Sequence, residues 1–148
     1  MIQMTKEQQE ELKEHFNNPK NFGKMLDYDA KGICINPEKK AKTTIFLKVD
    51  KNEIVQDIKF LIKGCKSTLL TGSLFTETVK GYSLDDGIEL CDDLLQELEA
   101  DLTPDKEKPR LVMNAYKAAV QNYRDRKNGS NENEKEIIIH SSSYYTST

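Results

Sequence analysis

The chain has 148 residues, of which 36% are hydrophobic and 32% are charged, and its formal net charge is −3. This length favours a single domain, and so mild a net charge gives no reason to expect nucleic-acid binding. No run of residues reaches the roughly 18 apolar positions of a membrane-spanning helix, and the first residues lack the apolar core of a signal peptide. We therefore expect a cytoplasmic protein without a membrane segment, and the odd number of cysteines argues against a disulfide framework.

The first part of the chain predicts one helix followed by strands. In "TKEQQEELKEHF", Thr5 and Gln8 have the spacing of a capping box, and "NNPKNFG" then breaks the helix. "KGICIN" has the pattern of a short strand, and "TTIFLKV" and "IVQDIKFLI" flank the turn "DKNE" as in a hairpin. The residues predicted to share the packed face of the second hairpin strand are Ile54, Ile58, Phe60 and Ile62.

The rest of the chain predicts three helices. The first follows Cys65 and ends near Gly81, the second begins at Ser83 with Asp86 in capping-box spacing, and the third has Pro109 in its first turn. The apolar stripes of the last two helices are Ile88, Cys91, Leu95 and Leu98, then Val112, Ala115, Tyr116, Ala119 and Tyr123. This order predicts an α+β fold, a small three-stranded antiparallel sheet with helices packed on one face.

Composition divides the chain into two parts. Residues 1–127 contain enough apolar side chains for one modest core, whereas residues 128–148, "NGSNENEKEIIIHSSSYYTST", form a polar tail that we predict to be disordered. His15 near the end of the first helix and His140 in the tail are expected to be structural or solvated rather than metal ligands.

Cys65 in "IKGCKSTLLTGS" is the strongest candidate for chemistry. It lies where a strand changes to a helix, and the helix N-terminus with Lys63 and Lys66 favours its thiolate. Such a thiolate suits a nucleophile, a persulfide carrier or a metal ligand, although a small buried residue in a tight turn explains the pattern equally well. For Cys34 and Cys91 we favour packing in the core.

Three blocks of the sequence resemble a known family. "HFNNPKNFG", "IKGCKSTLLTGSLFTETVKGYSLDD" and "AYKAAVQNY" are similar to the blocks of the NifU-like (IscU/SufU-type) iron–sulfur cluster assembly scaffolds, and the resemblance spans residues 12–124. It implies a small antiparallel sheet with helices packed on it. It also implies a [2Fe–2S] cluster or zinc held by three cysteines with an aspartate or histidine, and sulfur supplied by a cysteine desulfurase.

The ligand positions implied by this resemblance are mostly filled by other residues. Cys65 matches the second ligand cysteine and is therefore the implied cofactor-binding and metal-binding residue. The residues at or near the other ligand positions are Lys39, Lys40 and Ala41 in the first loop and Glu107, Lys108 and Pro109 in the last. Lys39, Ala41, Glu107 and Lys108 are not expected to bind a metal, so no cofactor is expected in the conventional mode. An iron–sulfur cluster, iron or zinc bound in another way stays open.

Three hypotheses of function follow, of which an enzyme is the least favoured. In the first, the chain is a divergent scaffold-like protein of iron–sulfur cluster assembly, not an enzyme, which keeps Cys65 as a sulfur acceptor or weak metal ligand. Its partners would be a cysteine desulfurase or other assembly proteins, with homo-oligomers left open and neither nucleic acid nor membrane expected. In the alternative, the chain is a metal-free binding or regulatory module with the loop of Lys39 and Lys40 as a contact. An enzyme with Cys65 as nucleophile lacks a recognisable general base.

Overall fold

The computed structural model describes residues 4–64, 66–100 and 107–141, without the side chains of Phe16, Glu99, Ala100 and Glu107. The elements in this part of the chain are α1 (Lys6–Asn17), β1 (Ala30–Asn36), β2 (Ala41–Val49), β3 (Val55–Lys63), α2 (Thr68–Val79), α3 (Leu84–Ala100), α4 (Glu107–Lys127) and β4 (Lys135–Ile138).

The capping signals predicted at the N-termini of α1 and α3 are confirmed. The backbone N–H of Gln8 donates to the Thr5 hydroxyl at 3.1 Å, and the Gln8 side chain accepts from the Thr5 N–H at 2.9 Å, which completes the capping box of α1. The Asp86 N–H donates to the Ser83 hydroxyl at 3.0 Å in the first turn of α3. These bonds satisfy N–H groups that a helix start leaves without a partner.

The sheet has four strands in the order β3-β2-β1-β4, so the prediction of a three-stranded antiparallel sheet is wrong. β2 pairs antiparallel with β1 and β3, as the hairpin pattern predicted, but β4 pairs parallel with β1. Parallel pairing needs a long crossover connection, and α4 supplies it. The α+β class itself is confirmed.

β4 lies in the segment predicted to be disordered, and that prediction is wrong for residues 135–138. Ile137 packs against the core cluster and Ile139 is 8% exposed. The isoleucines of "EIIIH" interrupt an otherwise polar segment, and their burial beside β1 and α4 is favourable. The average composition of the tail does not reveal this short apolar run. Residues 142–148 lie outside the described residues.

The packed face of β3 also differs from the prediction at one end. The register between β2 and β3 shifts between Lys48 and Val49. Because side chains alternate along a strand, this irregularity places Val55, which is 1% exposed, on the packed side in place of the half-buried Ile54.

The helices α2 and α4 pack on the same face of the sheet. A Cβ atom on Gly32 of β1 would lie 2.1 Å from the Ala119 nitrogen of α4, and one on Gly72 of α2 would lie 2.4 Å from the Phe60 ring of β3. Gly32, Ile45 and Phe60 are partners across the three strands, so they share that face. Because glycine has no side chain, Gly32 and Gly72 allow both helices to approach the sheet closely.

The core lies between this face and the helices. Tyr116 is fully buried and its ring meets Phe75 edge-to-face, with the ring centroids 5.3 Å apart. Cys34 and Cys91 have no exposed surface, which confirms the prediction that they pack in the core. None of the described helices is long and apolar enough to cross a membrane.

Candidate functional site

The turn between β1 and β2 forms one side of the candidate site. The N–H of Lys40 donates to the Pro37 carbonyl at 3.1 Å, and the N–H of Lys39 donates to the Asn36 side chain at 3.3 Å. Lys40 has a φ of 51°, in the left-handed region that suits glycine. The resemblance places a glycine of the family at this position, so the turn keeps a glycine-type backbone without the glycine.

The segment that leaves β3 touches this turn. A Cβ atom on Gly64 would lie 2.6 Å from the Lys40 carbonyl oxygen, so the two backbones are in direct contact. Lys42 and Lys63 are Cα partners where β2 begins and β3 ends. Cys65 lies outside the described residues, and its chain neighbours Gly64 and Lys66 are both exposed.

The residues that follow β4 form a third side of the site. His140 Nδ1 lies 3.0 Å from a Glu38 carboxylate oxygen, and the Ser141 N–H donates to the same oxygen at 3.2 Å. Arg110 in the first turns of α4 donates to the His140 carbonyl at 3.0 Å. The β1–β2 turn, the start of α4 and the end of β4 therefore meet at one corner of the sheet.

Sequence reasoning missed this role of His140, because the tail appeared to be solvated. The pKa of the Glu38 carboxyl is lowered: desolvation, which raises it, is outweighed by hydrogen bonds from its own backbone, His140 and Ser141. Both side chains stay largely open to solvent, with His140 71% and Glu38 45% exposed. The only available signal was the apolar run before His140, which indicates a strand.

The ligand positions that the resemblance implies lie at or near residues 39, 41, 107 and 108. Lys39 is exposed, and a lysine ammonium has no free electron pair for a metal. Ala41 is 3% exposed and belongs to the core cluster, and its methyl group has no donor atom for a metal. Lys108 is half-buried, and the Glu107 side chain lies outside the described residues. Within the described ranges, no three His, Cys, Asp or Glu side chains lie close enough together to hold a metal ion.

The family blocks that surround the site act as structural elements. His15 is 6% exposed and its Nδ1 lies 2.6 Å from the Ser73 hydroxyl, which also accepts the Lys20 N–H at 2.7 Å. Asn21 donates to the Thr76 hydroxyl at 3.0 Å and accepts from Lys80 at 2.7 Å. "HFNNPKNFG" is thus bound to α2, the helix that follows Cys65, and His15 is structural rather than solvated.

The fold and the site define the chain as a small α+β domain with helices on one face of a mixed sheet and three loops at one corner. Residues 7–130 match the model of the NifU-like N-terminal domain. The chain therefore belongs to the NifU-like family, and the resemblance predicted from its three sequence blocks is confirmed.

Known proteins that resemble the chain agree with this assignment. It is 35% identical over 125 residues to the iron–sulfur cluster assembly scaffold protein IscU 1 of Archaeoglobus fulgidus. The aligned residues cover 84% of this chain and 80% of that protein. It is 33% identical over 119 residues to the scaffold protein IscU of Haemophilus influenzae, with coverage of 78% and 94%.

Solved structures support the fold. A NifU-like protein from Brucella abortus aligns with a TM-score of 0.59 at 15% identity, over 80% of this chain and 93% of that one. A scaffold-type protein from Fervidobacterium islandicum aligns with a TM-score of 0.54 at 18% identity, over 78% and 82%.

Proposed function

We propose that the chain acts in iron–sulfur cluster assembly as a scaffold-related protein that does not hold a conventional [2Fe–2S] cluster. Instead, Cys65 accepts sulfur or binds a metal weakly. Membership of the NifU-like family and similarity to the IscU scaffold proteins support a role in this pathway. The single observation that carries the divergent role is the buried methyl group of Ala41 beside the exposed Lys39, where the family has ligands.

The ligand chemistry explains why a conventional cluster is disfavoured. A [2Fe–2S] cluster takes about four ligands, mostly thiolates. Lys39 brings positive charge to the place where a cation would bind, and Ala41 contributes no donor atom. Glu38 and His140 are side chains with ligand atoms at this corner of the sheet, but they lie against each other. They could contribute to weak iron or zinc binding with Cys65, not to the conventional thiolate set.

Sulfur acceptance needs only the Cys65 thiolate. It attacks the terminal sulfur of a cysteine persulfide on a desulfurase, the sulfur–sulfur bond of the donor breaks, and the donor cysteine leaves as a thiolate. Cys65 ends as a persulfide, so no external oxidant or reductant is required. Lys63 and Lys66 flank Cys65 in sequence and favour its thiolate. A desulfurase is thus the proposed partner, no catalytic turnover is proposed for this chain, and the cytoplasm is the proposed location.

The test is anaerobic incubation with a desulfurase, ferrous iron and cysteine. Expected results are a persulfide mass on Cys65 and no stoichiometric visible absorption of a [2Fe–2S] cluster. Cys65→Ser should abolish the persulfide, whereas Cys91→Ala should retain it because Cys91 is fully buried. A stoichiometric cluster that is lost in Cys65→Ser would contradict the divergent role. Absence of both persulfide and metal would contradict the proposal as a whole.

A gain-of-ligand variant gives a complementary test. Lys39→Cys, Lys40→Gly and Ala41→Asp restore the first ligand loop, and Lys108→Cys restores a thiol near the last position. We expect this combined variant to bind a cluster that the native chain does not, because the backbone at Lys40 already has the conformation of the missing glycine. Lys51→Cys, at the opposite end of the β2–β3 hairpin, is the control for an added thiol. Equal cluster binding by the native chain and the combined variant would contradict the ligand argument.

A further inference from the structure

Five exposed lysines gather at the corner of the sheet: Lys39, Lys40, Lys42, Lys63 and Lys66, here called the lysine corner. Two lie in the β1–β2 turn, two at the paired ends of β2 and β3, and one beyond Gly64, which touches the Lys40 backbone. In the part of the chain that the structure describes, none of the five side chains forms an ion pair or a hydrogen bond.

This arrangement opposes stability. Lys42 and Lys63 are direct cross-strand partners, and like charges in that position destabilise a sheet. Some lysines elsewhere in the chain do have partners: Lys48 pairs with Asp27, Lys117 with Asp92 and Lys127 with Glu53. The lysine corner is therefore a local concentration of positive charge that the fold does not use.

The lysine corner also has an apolar floor. A shallow depression of about 230 Å³ is lined by Lys42, Thr44, Leu61, Ile62 and Lys63. Leu61 and Ile62 are half-buried, while Lys42 and Lys63, which pair across the strands at one end of the depression, are exposed. Such a surface suits a ligand that carries negative charges next to an apolar side chain.

Positive and negative charges are concentrated in different parts of the molecule. The net charge of the whole chain is −3, and α3 alone contributes seven acidic residues and no lysine or arginine. A basic corner on a weakly acidic protein attracts an acidic surface while the rest of the molecule repels it, which orients the partner on approach.

We propose that the lysine corner is a docking surface for an acidic segment of a partner protein, with its carboxylates beside the lysines and one apolar side chain in the depression. A protein segment fits better than a polyphosphate backbone because Leu61 and Ile62 make the depression beside Lys42 and Lys63 partly apolar. This surface does not require a bound cluster or a persulfide on Cys65.

The experiment measures binding of a fluorescein-labelled peptide, Glu-Glu-Leu-Glu-Glu-Leu, by fluorescence anisotropy, with Gln-Gln-Leu-Gln-Gln-Leu as the matched neutral probe. We expect the acidic peptide to bind and the neutral peptide not to bind. The affinity for the acidic peptide should fall several-fold between about 20 mM and about 200 mM salt, because salt screens exposed charges. The double variant Lys42→Gln/Lys63→Gln should weaken binding roughly five- to tenfold, since each exposed pair contributes up to about 1 kcal/mol.

The control is Lys13→Gln/Lys51→Gln, which removes the same charge from exposed positions on α1 and the far end of the hairpin. It should change binding less than about twofold. The lysine-corner variant should also keep or raise the melting temperature, because it relieves cross-strand repulsion. Lost binding with unreduced stability separates a docking role from a structural one.

Other outcomes would overturn the proposal. Equal losses in the two double variants would mean attraction to net charge only. Tighter binding of a single-stranded oligonucleotide of equal charge, dependent on the same lysines, would make this a nucleic-acid surface. Self-association of the lysine-corner variant with unchanged peptide binding would mean that the lysines only protect the edge strand β3.

Discussion

His15 Nδ1 lies 2.6 Å from the hydroxyl of Ser73 and joins α1 to α2 across 58 positions of sequence. Because the Lys20 N–H donates to the same hydroxyl oxygen, the hydroxyl hydrogen is free to donate to His15. Ser73 has no exposed surface, so both bonds are shielded from water. This pair holds the first family block against the helix that follows Cys65.

Ser73→Ala should lower the free energy of unfolding by about 1–3 kcal/mol, because it leaves a buried imidazole nitrogen and a backbone N–H without their partner. Urea denaturation measures the change. His15→Ala should cost a similar amount, whereas His140→Ala, at a side chain that is 71% exposed, should cost less than about 0.5 kcal/mol. Equal effects of the two histidine substitutions would contradict this role of His15.

Gly32→Ala should prevent folding or lower the free energy of unfolding by more than about 3 kcal/mol, because the new Cβ would lie 2.1 Å from the Ala119 backbone nitrogen in α4. Gly81→Ala is the matched control: Gly81 has a φ of 90° but nothing within 4 Å of its Cβ position. It should cost about 1–2 kcal/mol from backbone strain alone. Soluble yield and thermal melting distinguish the two variants, and a well-folded Gly32→Ala protein would show that α4 does not pack this closely.

Lys40→Gly should raise the free energy of unfolding by up to about 1 kcal/mol, since it relieves the left-handed backbone at a φ of 51°. Lys39→Gly, in the same turn but without a positive φ, should lower it by about 0.4–1 kcal/mol through the entropy of the unfolded chain. Chemical denaturation of the two variants under the same conditions provides the comparison. A decrease of the same size in both would exclude strain at Lys40.

The stability of the protein should fall at alkaline pH through the buried thiol of Cys91. Burial raises the pKa of this thiol from 9.0 to about 12, and burial also raises the pKa of Tyr116. The unfolded chain releases the Cys91 proton near its ordinary pKa while the folded chain retains it. The contribution is therefore complete below about pH 9 and is lost as the pH rises towards 12.

Urea midpoints at several pH values from about pH 8 to about pH 11 test this linkage. Cys91→Ala should reduce the slope of stability against pH, although Tyr116 still contributes. Cys91→Ser removes the same buried thiol with little change in side-chain volume and serves as the control for the lost volume. An unchanged slope in Cys91→Ala would mean that the thiol ionises equally easily in both states.

The sequence by itself determined the features that depend on neighbouring residues. The capping box of Thr5 and Gln8, the hairpin around "DKNE" and the apolar stripe on α4 each depend on contacts within a few positions. The family blocks could also be recognised from the sequence, because they contain specific residue types in a fixed order. From these the α+β class and the family could be predicted, whereas the replacement of ligands at positions 39 and 41 stays a prediction.

Only the tertiary structure decided the features that join distant segments. β4 looks polar by composition, and its parallel place beside β1 depends on where α4 returns the chain. The choice of Val55 over Ile54 depends on a register shift in the β2–β3 pair, and His140 reaches Glu38 only because β4 ends beside the β1–β2 turn. The lysine corner exists for the same reason. Its charges are far apart in sequence, and the energy of bringing them together depends on distances that the chain acquires only when it folds.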